Sequence, residues 1–180
     1  MTLKYLLFEK DYLENQLYYA SRSQIAKKYK RGTINNAVLT ITMITIYFFI
    51  LGNFSFLLWF ILFCVVFLII APFMALRRLK KAYQNSIAQL FKNRFGLTST
   101  VEFKLSSIID SDSMRVSEIF HSALQSVEET GTYFFIWTKY GENLIIPKSE
   151  VDKDAVKNYL LQLAEQIKIP YNSDLSWKWK

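Results

Sequence analysis

Ionisable side chains are missing from a continuous quarter of the chain: of its 180 residues, none between Gly32 and Leu76 is Asp, Glu, Lys or Arg. Cysteine and histidine occur once each, as Cys64 and His121. A single cysteine excludes an internal disulfide framework and an all-cysteine metal centre. A single histidine removes most zinc-ligand sets and most nucleophile–histidine constellations. The 5 glycines nowhere form a phosphate-cradling loop. No cofactor and no metal are expected on these grounds. Apolar residues are abundant instead: 52% are hydrophobic and 17% aromatic against 21% charged, which excludes a disordered chain.

The apolar residues are concentrated in two runs, Ala37–Leu51 and Phe54–Leu76, joined by Gly52-Asn53. About 20 apolar residues span a bilayer. The second run meets that length, and the first does so when Ile34, Asn35 and Asn36 start its helix near the headgroups. Gly52-Asn53 is a turn signal, so residues 34–76 read as a transmembrane helical hairpin. Lys27, Lys28, Lys30 and Arg31 precede it, Arg77, Arg78, Lys80 and Lys81 follow it, and the connecting turn is uncharged. Lys and Arg collect on cytoplasmic flanks, so both termini are expected in the cytoplasm. Roughly thirty mostly polar residues ahead of the first run argue against a cleaved signal peptide. Residues 1–96 carry 13 basic and 3 acidic side chains, and residues 97–180 carry 9 and 12. The overall charge of +7 therefore belongs to the membrane flanks, and no nucleic-acid partner is expected.

Along the chain, residues 1–33 begin with a strand, Leu3–Phe8. Asp11-Tyr-Leu-Glu14 then has the form of a capping box for a helix from Tyr12 toward Arg31. Leu13, Leu17 and Ala20 share one face of that helix, with Tyr18 and Tyr19 at headgroup depth. Pro72 should kink the second span, which continues through 77–96 and ends near Gly96. Thr40, Thr42 and Thr45 return their hydroxyls to the preceding turn and, without ionisable neighbours, do not indicate a pore. After Gly96 the period becomes two, with Val101, Phe103 and Leu105 facing one way. Asp110–Ser113 reads as a polar turn, Leu124–Glu129 as a strand, and Thr130-Gly131 as a turn. Tyr133–Thr138 and Leu144–Ile146 read as a hairpin. Pro147 ends the last strand, and Ser149 caps a helix running through Ile167 with Ala155, Tyr159, Leu160, Leu163 and Ile167 as its stripe. The expected fold is an α+β membrane protein: a transmembrane hairpin carrying a small cytoplasmic antiparallel β domain, residues 97–180, closed by a C-terminal helix.

Chemistry is sparse. His121 has no nucleophile or orienting carboxylate at a recognised spacing, and Asp110 with Asp112 lacks the loop of a calcium site. Glu128 and Glu129 adjoin on a strand, so they face opposite ways and cannot act as a pair. Cys64 lies among apolar residues and reads as a small hydrophobe. No enzyme is indicated. Three residues remain as candidate partner or headgroup contacts. They are Lys148 at the end of the last strand, and Trp177 and Trp179 in the alternating tail.

Residues 5–21, Tyr-Leu-Leu-Phe-Glu-Lys-Asp-Tyr-Leu-Glu-Asn-Gln-Leu-Tyr-Tyr-Ala-Ser, come before a basic stretch and a helical hairpin. Phe91-Lys-Asn-Arg-Phe-Gly96 and Leu144-Ile-Ile-Pro-Lys148 follow in that order. This arrangement resembles the bacterial YcxB-like family over nearly the whole chain. The departure is Phe120-His-Ser-Ala-Leu124, where members tend to carry a Trp. The resemblance implies a bacterial cytoplasmic-membrane protein whose cytosolic domain is similar to pleckstrin-homology-like β domains, with no established activity. The expected function is a non-enzymatic membrane-anchored adaptor or sensor that binds a protein, peptide or lipid headgroup. An immunity protein against a membrane-acting toxin is the alternative. The expected partners are the bilayer and an unidentified protein, with homo-oligomerisation left open.

Overall fold

The computed structural model describes residues 1–52 and 54–179, and the side chains of 54–58 lie outside the description. The chain divides into two compact units: Met1–Asn15 with Ser86–Lys178, and Gln16–Asn85 with Trp179. The fold is α+β, with two long apolar helices followed by a mostly antiparallel β region and a C-terminal helix.

In the first unit, β1 (Thr2–Leu6), β2 (Thr98–Phe103), β3 (Ser107–Ser111) and β4 (Val116–Phe120) form an antiparallel sheet in that order. The expected N-terminal strand therefore belongs to the β region, with Leu3 opposite Val101 and Tyr5 opposite Ser99. A second sheet is built from β5 (Leu124–Thr130), β6 (Tyr133–Thr138), β7 (Asn143–Pro147) and β8 (Tyr171–Asp174) in the order β7-β6-β5-β8. Alternation places Val101 and Phe103 in the core and Glu102 outside. Tyr133, Phe134, Phe135 and Ile136 are all buried, as befits a strand covered on both faces. The closing helix (Lys153–Ile167) contributes Val156, Leu160, Leu163 and Ala164 to the core. Each such large apolar side chain contributes about 1.5–3 kcal/mol on burial.

Five local expectations are corrected, and one strand appears that none of them foresaw. Asp11 does not begin its helix: Phe8 does, and the Asp11 carboxylate reaches back to accept from the Phe8 N–H at 2.7 Å, the carboxylate half of a capping box. Asp110 lies within β3, and the turn begins at Asp112, whose carboxylate accepts from the Met114 and Arg115 N–H groups. Leu105, expected inward, is fully exposed because the strand ends at Phe103 and the chain turns there. The cap of the closing helix is Asp152, which accepts from the Asp154 and Ala155 N–H groups, and not Ser149, while Ala155 of the expected stripe faces solvent. β8, which has no apolar alternation to announce it, runs parallel to β5. Gly96 follows a 3-10 turn (Lys92–Arg94) instead of capping the long helix, and its N–H donates to the Leu7 carbonyl.

The single helix expected from Tyr12 toward Arg31 is two: α1 (Glu9–Arg22), which begins in the first unit and continues into the second, stops at Ser23-Gln24, and α2 (Ile25–Ile50) starts just ahead of the basic stretch. α3 (Phe54–Leu90) runs as helix through Pro72. The closing helix is hereafter α4. Stretches at Ile25–Ile50 and Trp59–Leu90 are long and apolar enough to cross a membrane, and their apolar windows are 0% and 17% buried. That exposure is the reverse of a soluble core helix. Among described residues α3 buries only Cys64, Ala71, Ala75 and Leu79 along its apolar half, and the Phe48 and Phe60 rings approach to 5.9 Å. Thr40, Thr42 and Thr45 donate to the carbonyls four residues earlier. Gly52 takes φ +69°, as a turn requires, whereas Asn53 of the expected turn lies outside the described residues.

Candidate functional site

A cavity of about 780 Å³ opens at one end of the first unit. The end of β2 supplies Glu102 and Phe103, and the β2–β3 turn supplies Lys104, Leu105 and Ser106. The wall is completed by His121 after β4, by Met1, and by Tyr159, Gln162, Leu163 and Gln166 of α4. The i, i+3, i+4, i+7 spacing of the helical residues places them on one stripe. Phe103 and Tyr159 meet edge to face with centroids 4.9 Å apart, forming an apolar floor. The His121 backbone N–H donates to the Ser106 carbonyl at 2.9 Å, which holds the ring at the rim. Its Nε2 is buried with no hydrogen-bond partner among the described residues, and burial lowers its pKa, so the imidazole is neutral at pH 7. With an apolar floor and polar side chains around its rim, the cavity is large enough to take a small ligand.

The other sequence candidates lie elsewhere. Lys148 is not a strand-end cation facing solvent. Its Nζ donates to the Glu129 carboxylate at 2.8 Å and to the Thr130 carbonyl at 2.6 Å, over the Phe134 ring. Glu129 also accepts from Tyr171 at 3.0 Å and Ser173 at 2.9 Å, with Lys157 at 3.3 Å. Burial pulls its pKa up, but these donors outweigh burial and hold it down to about 2. This is a structural clamp between β5, β8 and α4. As expected from the strand period, Glu128 faces the other way and is bonded to Asn172 instead. Trp177 is half-buried, its backbone N–H donating to the Asp174 carbonyl, and Trp179 is half-buried and belongs to the second unit. Neither lines the cavity. Lys27, Lys28, Lys30 and Arg31 on α2 and Arg77, Arg78, Lys80 and Lys81 on α3 are all exposed.

Lys104, Ser106, Gln162 and Gln166 gave no signal in the sequence, because two distant segments of ordinary surface polarity make the cavity only on folding. His121 was visible there only as an isolated ring. No three His, Cys, Asp or Glu side chains gather as a metal site among the described residues.

The architecture defines an α+β protein with two membrane-length helices and a β unit that bears a cavity. Comparisons with family models, curated proteins and solved structures give no match.

Proposed function

We propose that the protein is a non-enzymatic, membrane-anchored adaptor or sensor of the bacterial cytoplasmic membrane, with both termini cytoplasmic and the His121 cavity as its ligand site. The cavity, with its apolar floor and its polar rim of Lys104, Ser106, His121, Gln162 and Gln166, is the observation that carries the reading. Seven antiparallel strands divided four and three, followed by α4, support a pleckstrin-homology-like domain. The signatures at residues 5–21, 91–96 and 144–148 support membership of the YcxB-like family. Binding is favoured over catalysis because the His121 Nε2 meets no nucleophile or orienting carboxylate among the described residues, and general-base chemistry needs such a partner.

The test is co-purification of the full chain from a mild-detergent extract, wild type beside Leu105→Glu and His121→Ala. Leu105 is wholly exposed at the rim, so its substitution leaves folding intact. Specific partners of the wild type should be lost in both variants. A wild type that retains nothing, or variants that retain the same set, would end this reading.

A further inference from the structure

The two sheets present four edge strands, and three of them are blunted against pairing with another chain. β1 carries Lys4, β7 is buried from Leu144 onward and ends in Pro147, and β8 is four residues long and polar. β4 carries one charge, Glu118, and none of the other devices. Its sequence, Val-Ser-Glu-Ile-Phe, contains no Lys or Pro, and Val116 and Phe120 are 74% and 57% exposed.

The backbone of β4 is also open. The Asp112 N–H donates to Arg115 and the His121 N–H to Ser106, while Asp110 pairs with Ser117 and Ile108 with Ile119. In an antiparallel ladder this phase points the N–H and C=O groups of residues 115, 117, 119 and 121 at β3. The N–H and C=O groups of Val116 and Glu118 and the N–H of Phe120 therefore point away from the sheet, with no partner among the described residues, while the Phe120 carbonyl begins the 3-10 turn His121–Ala123.

We propose that this edge docks an extended peptide segment of a partner protein as a fifth strand, in the pattern apolar–any–basic–any–apolar. The proposal rests on the reading of the β unit as a binding module and names the chemistry of its partner. Charge selects the occupant. A second copy paired over the full strand about a two-fold axis would set Val116 against Phe120 but would face Glu118 with its own counterpart, and like charges directly opposite are destabilising. A register slipped by two residues avoids this only by giving up part of the strand. Glu102 and Glu118 flank Ile109 on the same face, so the half of the sheet next to β4 is acidic, while Lys4 lies on that face at the far edge. Glu118 accepts from the Ser107 hydroxyl at 2.7 Å and keeps its charge at the exposed edge. A foreign strand with Lys or Arg opposite Glu118 and apolar residues opposite Val116 and Phe120 satisfies backbone, charge and apolar groups together.

The experiment uses the full chain in detergent micelles and three labelled decapeptides of alternating threonine and valine with a central arginine, glutamine or glutamate. Fluorescence anisotropy should rank them arginine, glutamine, glutamate, with about a tenfold spread between the extremes. Glu118→Lys should reverse the order, an outcome that misfolding cannot imitate. Val116→Pro deletes one outward N–H while keeping the β3 ladder, and should abolish binding of all three. Absence of binding, or an order unchanged by Glu118→Lys, overturns the proposal. A wild-type dimer dispersed by Val116→Pro also overturns it, by making a second copy the occupant. If the peptides fail while Leu105-dependent co-purification persists, the edge proposal falls and the binding-module reading survives.

Discussion

Glu129 shows how a residue that resembles a catalytic acid serves the fold instead. The residue is 2% exposed, and four side chains donate to its carboxylate. Its pKa is about 2 in the folded chain against an ordinary value of 4.5, so the unfolded chain takes up the proton first as pH falls. Glu129 thus contributes stability that is fully present above about pH 4.5 and is lost as the pH falls toward 2. Urea melts of Glu129→Gln should show about 3 kcal/mol lower stability at pH 7, because Lys148 is left buried without its charge partner. The difference from wild type should shrink between pH 4.5 and 3. Tyr133 gives a second test. Its hydroxyl donates at 2.7 Å to the buried Asp11 carboxylate, and burial together with that bond raises its pKa. Tyr133→Phe should cost about 1.5–3 kcal/mol in the same measurement. Strand period alone revealed that Glu128 and Glu129 face opposite ways. The pairing of Glu129 with Lys148 was hidden, because Glu129 lies on β5 and Lys148 just past the end of β7, and only the sheet topology brings them together.

At the scale of elements, legibility followed the strength of the local pattern. Tyr133–Thr138 was read to the residue because a dense apolar run there is bounded by turn residues, with Gly141 at φ +84° in the hairpin loop. The start of α4 was misread because Ser149 and Asp152 are both competent acceptors and nothing local ranks them. The strand's exit geometry does, and it hands the cap to Asp152. Asp152→Ala should therefore lower stability by about 1 kcal/mol in thermal or urea unfolding. Ser149→Ala should change it by less than about 0.5 kcal/mol. β8 escaped notice because Tyr171-Asn-Ser-Asp174 draws its place from pairing with β5 and not from its own pattern. Its neighbour is held close: a Cβ on Gly131 would come within 2.9 Å of the Leu175 carbonyl oxygen, so that turn glycine is required by close approach.

For the whole molecule, the informative fact is that β1 and β2 pair in one sheet while α2 and α3 lie between them in sequence. The chain that leaves β1 must come back to the same sheet. If the apolar helices cross a bilayer, they must do so an even number of times, because an odd number would place β1 and β2 on opposite faces. Two membrane-length helices and eight exposed basic residues on their outer flanks agree with this from independent directions. The same pairing makes β1 part of the fold, with Tyr5 buried in its core, so deletion of residues 1–9 should lower the unfolding midpoint in detergent by several degrees. Topology itself is checked by cysteine labelling in a Cys64→Ser background. Ser106 and Asn172 are exposed on the β unit, and cysteines there should react with an impermeant maleimide only after the cells are permeabilised. A cysteine replacing Gly52, at the opposite end of the apolar helices, should react in intact cells. Labelling at position 106 or 172 in intact cells would place the β unit outside and end the cytoplasmic assignment. Opposite accessibility of cysteines at positions 4 and 106 would go further, because it would separate β1 from the sheet to which its register assigns it.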